Sequence, residues 1–191
     1  MNVHAWQGKK IVVAGLGSSG LSMLRFFVSQ GCGVCAYDAK ITDERRAYIA
    51  AELPAVTFAE GDLASALVGA EVLALSHGVP SRQEAIVAFA AQGGVVLGDV
   101  EVFAQLAAAA NAKVLAITGS NGKTTVTSLT RQLIERAGQS VAVAGNIGPT
   151  LLDTLTTHLD AGTLPQVWVL ELSSFQLDGV DDFEPTAAVV L

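Results

Sequence analysis

Apolar positions along the chain fall into short unbroken runs, most of them followed by a stretch in which they recur every three or four residues. The first run, Lys10-Ile-Val-Val-Ala14, ends in Gly15-Leu16-Gly17-Ser18-Ser19-Gly20. Beyond it Leu21, Leu24, Phe27 and Val28 share one stripe, and Gly31 stops it. Unbroken runs of this length read as strands buried on both faces, and the stripe reads as an amphipathic helix. Further strand-like runs lie at Val34–Asp38, Val56–Phe58, Val72–Ser76 and Val95–Leu97, with helical stretches near Asp43–Glu52, Asp62–Val68 and Ser81–Gln92.

The alternation then restarts. Asp99–Ala110 reads as a connecting helix carrying Val102, Phe103 and Leu106, and Lys113–Ile117 as a strand leading into a second glycine loop. The helix after that loop is predicted to bury Val126, Leu129, Leu133 and Ala137, with Gly138 as its stop. Strands follow at Ser140–Ala144 and Gln166–Glu171, with a helix near Pro149–Leu159 between them, and Thr186–Leu191 reads as one more strand. Repeated β-α units imply parallel sheets covered by helices. The predicted fold class is therefore α/β. A Rossmann-like parallel-sheet domain (residues 1–98) precedes a P-loop-type α/β domain (residues 99–191). Because the chain ends on a core-type strand, the second domain is expected to be the truncated beginning of a longer one.

Composition narrows the class. Half of the 191 residues are apolar and 15% are charged, which excludes a disordered chain. No apolar stretch reaches membrane-spanning length, and the polar start lacks the pattern of a signal peptide, so the expected location is the cytoplasm. A net charge of −7 argues against a nucleic-acid partner. Cys32 and Cys35 form a C-x-x-C pair, but they follow a helix stop and enter a strand. A redox pair needs a helix N-terminus and a zinc site needs further ligands, so both read as small buried residues.

The chemistry concentrates in the glycine loops. Thr118-Gly119-Ser120-Asn121-Gly122-Lys123-Thr124-Thr125 stands between a buried strand and a helix. Glycines there let successive backbone N–H groups converge on phosphate oxygens, and the helix N-terminus adds partial positive charge. Lys123 can reach β- and γ-phosphates, and the Thr124 hydroxyl can ligate Mg²⁺. Ile117 replaces the first glycine of the general P-loop pattern, which leaves the shorter G-x-x-G-K-T. Glu171, at the end of a strand in the same sheet, is a candidate second metal ligand, an exposed strand-end acid being the alternative. The first loop matches the dinucleotide fingerprint, with Asp38 placed to bind a ribose hydroxyl; read alone, that predicts NAD, although the same backbone nest can equally hold another diphosphate.

The shortened loop resembles that of the Mur ligases and the folylpolyglutamate synthetases. Gly145-Asn146-Ile147-Gly148 and Glu171-Leu-Ser-Ser-Phe-Gln176 are similar to segments of the Mur ligases that add D-glutamate to UDP-N-acetylmuramoyl-L-alanine. That resemblance covers essentially the whole chain. It implies ATP and Mg²⁺ as cofactors, with Gly119, Ser120, Asn121, Gly122, Lys123, Thr124 and Thr125 around ATP. It implies Lys123 and Glu171 as catalytic groups, and Thr124 and Glu171 on the metal. The first loop then holds the diphosphate of a UDP-sugar: Gly17, Ser18 and Ser19 supply donors, and Asp38 and Lys40 frame the uridine. Ser76 and Gly78, in a Ser76-His77-Gly78 segment where the family shows Ser-Pro-Gly, complete that site, and His77 reads as an exposed loop histidine. The family's Asp-Thr-Arg stands here as Asp38-Ala39-Lys40. Asn146, Ser173 and Gln176 are implied to line the place where acceptor and phosphates meet. The implied reaction passes through an acyl phosphate, and these 191 residues alone are expected not to catalyse it. Other readings are a Mur ligase for a different amino acid, a nucleotide-binding module without ligase activity, and an NAD-linked oxidoreductase.

Overall fold

The computed structural model describes residues 6–178, 180 and 183–191, so the first five residues of the leading domain lie outside it. The chain divides into two compact units, one closing at Asp99 and one running Val100–Leu191.

The first unit comprises β1 (Lys10–Ala14), α1 (Ser18–Ser29), β2 (Gly33–Tyr37), α2 (Asp43–Glu52), β3 (Thr57–Phe58), α3 (Leu63–Ala66), β4 (Val72–Leu75), α4 (Glu84–Ala91) and β5 (Val95–Leu97). Its strands are parallel, in the order β3-β2-β1-β4-β5. Being central, β1 is covered on both faces, and Ile11 to Ala14 are fully buried. Met23, Leu24, Phe26 and Phe27 of α1 are likewise sealed from solvent. Helices α2 and α3 start on side-chain caps. Thr42 accepts from the Arg45 amide and Asp62 from the Ser65 amide; the Ser65 side chain and then its amide hold the Asp62 carboxyl below its usual range. The chain leaves β1 toward β2 on one side and returns to β4 on the other. A crevice therefore opens at the carboxyl ends of β1 and β4.

The second unit contains α5 (Asp99–Ala109, its first residue belonging to the first unit), β6 (Lys113–Thr118), α6 (Lys123–Arg136), β7 (Val141–Gly145), α7 (Leu151–Asp160), β8 (Val167–Glu171), α8 (Ser174–Leu177) and β9 (Ala187–Val190). Its parallel strands lie in the order β7-β8-β6-β9. Trp168 on β8 anchors the core, edge-on to Phe103 of α5 at 5.0 Å and to His158 of α7 at 5.5 Å. At the sheet edge, every residue of β9 is exposed.

Cys32 and Cys35 are unbridged and half-buried. The Cys32 thiol bonds the Trp6 carbonyl, and burial pushes its pKa up, away from the reactive thiolate form. Cys35 packs against the core between the sheet and its helices.

One helix face differs from the sequence reading. On α6, Leu129 and Leu133 are 54% and 65% exposed and Ala137 is exposed, whereas Thr127 is fully buried and Thr130 and Ile134 are half-buried. The reason is the helix's own first turn. Thr124 faces the carboxyl end of β8, and Thr127, three residues on, must then face the sheet as well. The rotation is set by a polar contact against the apolar stripe. Its cost is visible in the Thr127 hydroxyl, buried without a hydrogen-bond partner. Because an unsatisfied buried hydroxyl is unfavourable, Thr127→Val, which keeps the shape, is expected to raise stability by about 1 kcal/mol in urea unfolding.

Candidate functional site

In the second unit three strand ends come into register. Ile117 of β6, Glu171 of β8 and Gly145 of β7 lie side by side in the ladder. The phosphate-type loop, the acid and the Gly145–Gly148 turn therefore emerge together at the carboxyl edge of the sheet. Gly119 (φ 139°) and Gly122 (φ 82°) take conformations closed to most side chains, and Gly122 is the N-cap of α6. With both ends of the loop so bent, Lys123 folds back and its Nζ donates to the Gly119 carbonyl at 2.7 Å. The strand β9 supports the loop from its other side: the Leu191 amide donates to Thr118 O, and the Ser120 amide donates to Leu191 O.

Glu171 is 1% exposed. A carboxylate so placed needs donors, and it has two from separate elements. The Thr124 hydroxyl donates to Oε2 at 3.0 Å, and the Asn146 amide donates to Oε1 at 3.1 Å. The Asn146 backbone N–H also donates to the Glu171 carbonyl at 2.7 Å. This approach is close enough that a Cβ on Gly145 (φ 120°) would sit 2.2 Å from that carbonyl. The exposed-acid alternative for Glu171 is thereby excluded. Thr124 and Glu171 present hard oxygen ligands beside a loop suited to phosphate. That donor set fits a Mg²⁺ ion which fills its remaining positions with water and phosphate oxygens. Among the described residues no group of three or more His, Cys, Asp or Glu could hold a metal by protein ligands alone.

Ser173 and Gln176 are engaged with each other. Ser173 caps α8 by accepting from the Gln176 amide, while Gln176 Oε1 accepts from the Ser173 amide and hydroxyl. Gln176 is buried, and Phe175 between them is 70% exposed. The pair fixes how the chain leaves Glu171. The spacing Ser-x-x-Gln carried this signal, since it is a capping box in sequence.

The first unit holds a cleft of about 500 Å³ lined by Gly15 to Ser19, Tyr37 to Lys40, Ser76 to Pro80 and Gln83. It thus gathers Gly17, Ser18, Ser19, Asp38, Lys40, Ser76 and Gly78. Two details depart from the roles read from sequence. The Ser19 hydroxyl donates to Asp99 Oδ2 at 2.8 Å in a buried contact, so that hydroxyl is not free for a diphosphate. Asp38 uses both carboxylate oxygens on backbone, accepting from the Leu16 amide at 2.8 Å and the Lys40 amide at 2.9 Å. It clamps the loop, and a ribose hydroxyl would have to compete with that clamp. Asp99 was absent from the sequence reading as a site-supporting residue. Its only signal was an acid directly after Gly98, at a helix start. The tightness of the loop is explained by Gly20 and Gly15. A Cβ on Gly20 would fall 1.8 Å from the Gly15 carbonyl, and one on Gly15 (φ 85°) would fall 2.6 Å from Val79.

Comparison with known proteins agrees with both halves. Residues 9–98 match the family profile described as "Mur ligase MurD-like, N-terminal domain", and residues 117–191 match "Mur ligase middle domain". The chain is 49% identical to a UDP-N-acetylmuramoylalanine–D-glutamate ligase of Albidiferax ferrireducens, over 99% of this chain and 40% of the relative. It is 47% identical to proteins of that name from Burkholderia mallei and Burkholderia pseudomallei, over 97% of this chain and 39% of each. It therefore spans about 40% of the length of the curated relatives it matches. Among solved structures, a UDP-N-acetylmuramate–alanine ligase of Thermotoga maritima aligns with TM-score 0.55 at 20% identity, over 95% of this chain and 41% of that one. A UDP-N-acetylmuramate:L-alanyl-γ-D-glutamyl-meso-diaminopimelate ligase of Neisseria meningitides aligns with TM-score 0.52 at 20% identity, over 86% and 52%. At that identity the likeness is one of fold.

Gly145→Ala tests the close approach behind Glu171. It is expected to cost roughly 2–4 kcal/mol in chemical unfolding, from strain and displacement of the Glu171 carbonyl. Gly17→Ala, whose Cβ meets nothing within 4 Å, should change stability by no more than about 0.5 kcal/mol.

Proposed function

The chain belongs to the Mur ligase family, and on that premise we propose that it is the front part of an ATP-dependent ligase joining D-glutamate to UDP-N-acetylmuramoyl-L-alanine during peptidoglycan precursor synthesis. The observation that carries this reading is the Thr124–Glu171–Asn146 contact at the mouth of the Thr118–Thr125 loop. It supports the reading because a hydroxyl and a buried carboxylate, both suited to a metal ion, stand beside a loop suited to phosphate. The choice of D-glutamate as the added residue rests on the names of the relatives at 47–49% identity.

In this reading the loop amides from Gly119 to Thr125 cradle the β- and γ-phosphates of ATP. Lys123 leaves the Gly119 carbonyl and turns to the γ-phosphate, exchanging one oxygen acceptor for another. Mg²⁺ bound at Thr124 and Glu171 would neutralise charge on the phosphoryl group in transfer. The carboxylate of the L-alanyl group attacks the γ-phosphorus, giving an acyl phosphate and ADP. The amine of D-glutamate then adds to the acyl carbon, loses a proton, and inorganic phosphate leaves as the amide forms. Asn146 holds Glu171 in place, and the Ser173–Gln176 box fixes the chain that follows it. The cleft of the first unit takes the UDP group, its diphosphate lying over Gly15–Ser18 at the start of α1. The cytoplasm, where ATP is available, is the proposed setting. No described helix is long and apolar enough to cross a membrane.

The NAD-linked alternative is weakened by the relatives at 47–49% identity, which are named as ligases, and by the Mur ligase profiles matched on both halves of the chain. Thermal shift measurements separate the two readings. UDP-N-acetylmuramoyl-L-alanine is expected to raise the melting temperature of the first unit and NAD to leave it unchanged; the reverse would sink the proposal. For the second site, Lys123→Ala is expected to weaken ATP binding at least about tenfold in calorimetry. Glu171→Gln should abolish the strengthening of ATP binding by Mg²⁺ while leaving the Mg²⁺-free affinity within about twofold. The 191 residues by themselves are expected to release no phosphate dependent on D-glutamate in a coupled assay.

A further inference from the structure

His77 lies on the wall of the first-unit cleft, on the segment after β4, while Lys40 lies on the segment after β2. Because β1 separates β2 from β4 in the sheet, the segments that carry these two residues flank the Gly15–Ser18 loop on opposite sides, and both residues line the cleft with it. The His77 segment is held firmly. The Ser76 amide donates to Ala14 O, and the Val79 amide closes a turn on Ser76 O. Val79 and Ser76 fill the space beside Gly15. Among the described residues, the ionisable side chains along the cleft are Tyr37, Asp38, Lys40 and His77. Asp38 faces the backbone of its own and the neighbouring loop, so Lys40 and His77 are the two that can offer positive charge to an anion there. In a chain of net charge −7, a diphosphate held mainly by backbone amides gains from each such cation.

We propose that His77 is a second side-chain ligand of the diphosphate in this cleft, and that it binds in its protonated form. The inference rests on the reading of the cleft as a UDP-sugar site. Histidine is the side chain whose charge changes between pH 5 and 8. Binding of the diphosphate favours the imidazolium, so a proton is taken up on binding, and affinity falls as pH rises through that range. The grip of the first unit on its substrate is in this way tuned by pH, while the contacts from the loop amides and Lys40 are not.

The test is calorimetric titration of the 191-residue chain with UDP-N-acetylmuramoyl-L-alanine at pH 5.8, 7.0 and 8.0, in two buffers of different ionisation enthalpy. This ligand suits the purpose because its diphosphate is a diester and its other acid is a carboxylic acid, so neither titrates in this window. Expected is an affinity roughly three- to tenfold weaker at pH 8.0, with fractional proton uptake near neutral pH. His77→Gln should flatten the pH dependence and remove the proton uptake while binding persists; His77→Lys should keep tight binding at both pH values. Binding by the native chain that is independent of pH and free of proton uptake overturns the role of His77 and leaves the UDP reading standing. Failure to bind at either pH, with the melting profile of a folded chain, overturns both.

Discussion

The architecture of the second unit turns on one buried acid. Glu171 sits at the end of β8 with almost no solvent, and a carboxylate in that position is tolerable only with donors on both oxygens. Thr124 and Asn146 provide them, and providing them dictates much else. Thr124 must face β8, which fixes the rotation of α6, buries Thr127 and turns Leu129 and Leu133 outward. Asn146 must fold over the Glu171 carbonyl, which leaves no room for a side chain at Gly145. Helix orientation, turn conformation and local strain all follow from satisfying a single charged group.

The two glycine loops solve related problems by different means. In the first unit the bend is held from outside, by Asp38 gripping two amides, by Ser19 bonded to Asp99, and by the fit of Gly15 against Val79. In the second unit it is held from within and below, by Lys123 reaching back to Gly119 and by the end of β9. The first loop is preformed with its acid already used. The second keeps a lysine that can let go of one oxygen and take another. Such a difference suits the roles proposed above, a cleft that retains a nucleotide and a loop that acts on one.

Much of this was legible in the sequence because buried parallel strands and glycine stops are local signals. β1, β6 and the helix α2 stand where the runs of apolar residues and their stops put them. What the sequence could not convey was side-chain commitment. Ser18 and Ser19 look equivalent in the fingerprint, yet one is exposed at the start of α1 and the other is buried against an acid 80 residues away. Periodicity likewise misplaced the inner face of α6, because the hydrophobic stripe competed with a polar requirement at Thr124 and lost. The Ser173–Gln176 spacing, which the resemblance assigns to ligand binding, also has a local meaning as a helix cap.

The contact between Gly145 and the Glu171 carbonyl has a consequence at the level of the gene. Every amino acid one nucleotide away from glycine carries a Cβ, and each would put that atom about 2.2 Å from a carbonyl oxygen in a backbone conformation L-residues avoid. No single step from this codon leads to a tolerated side chain. The position is closed to single-step substitution, and a lineage that altered it would have to rebuild the end of β8 in the same stroke.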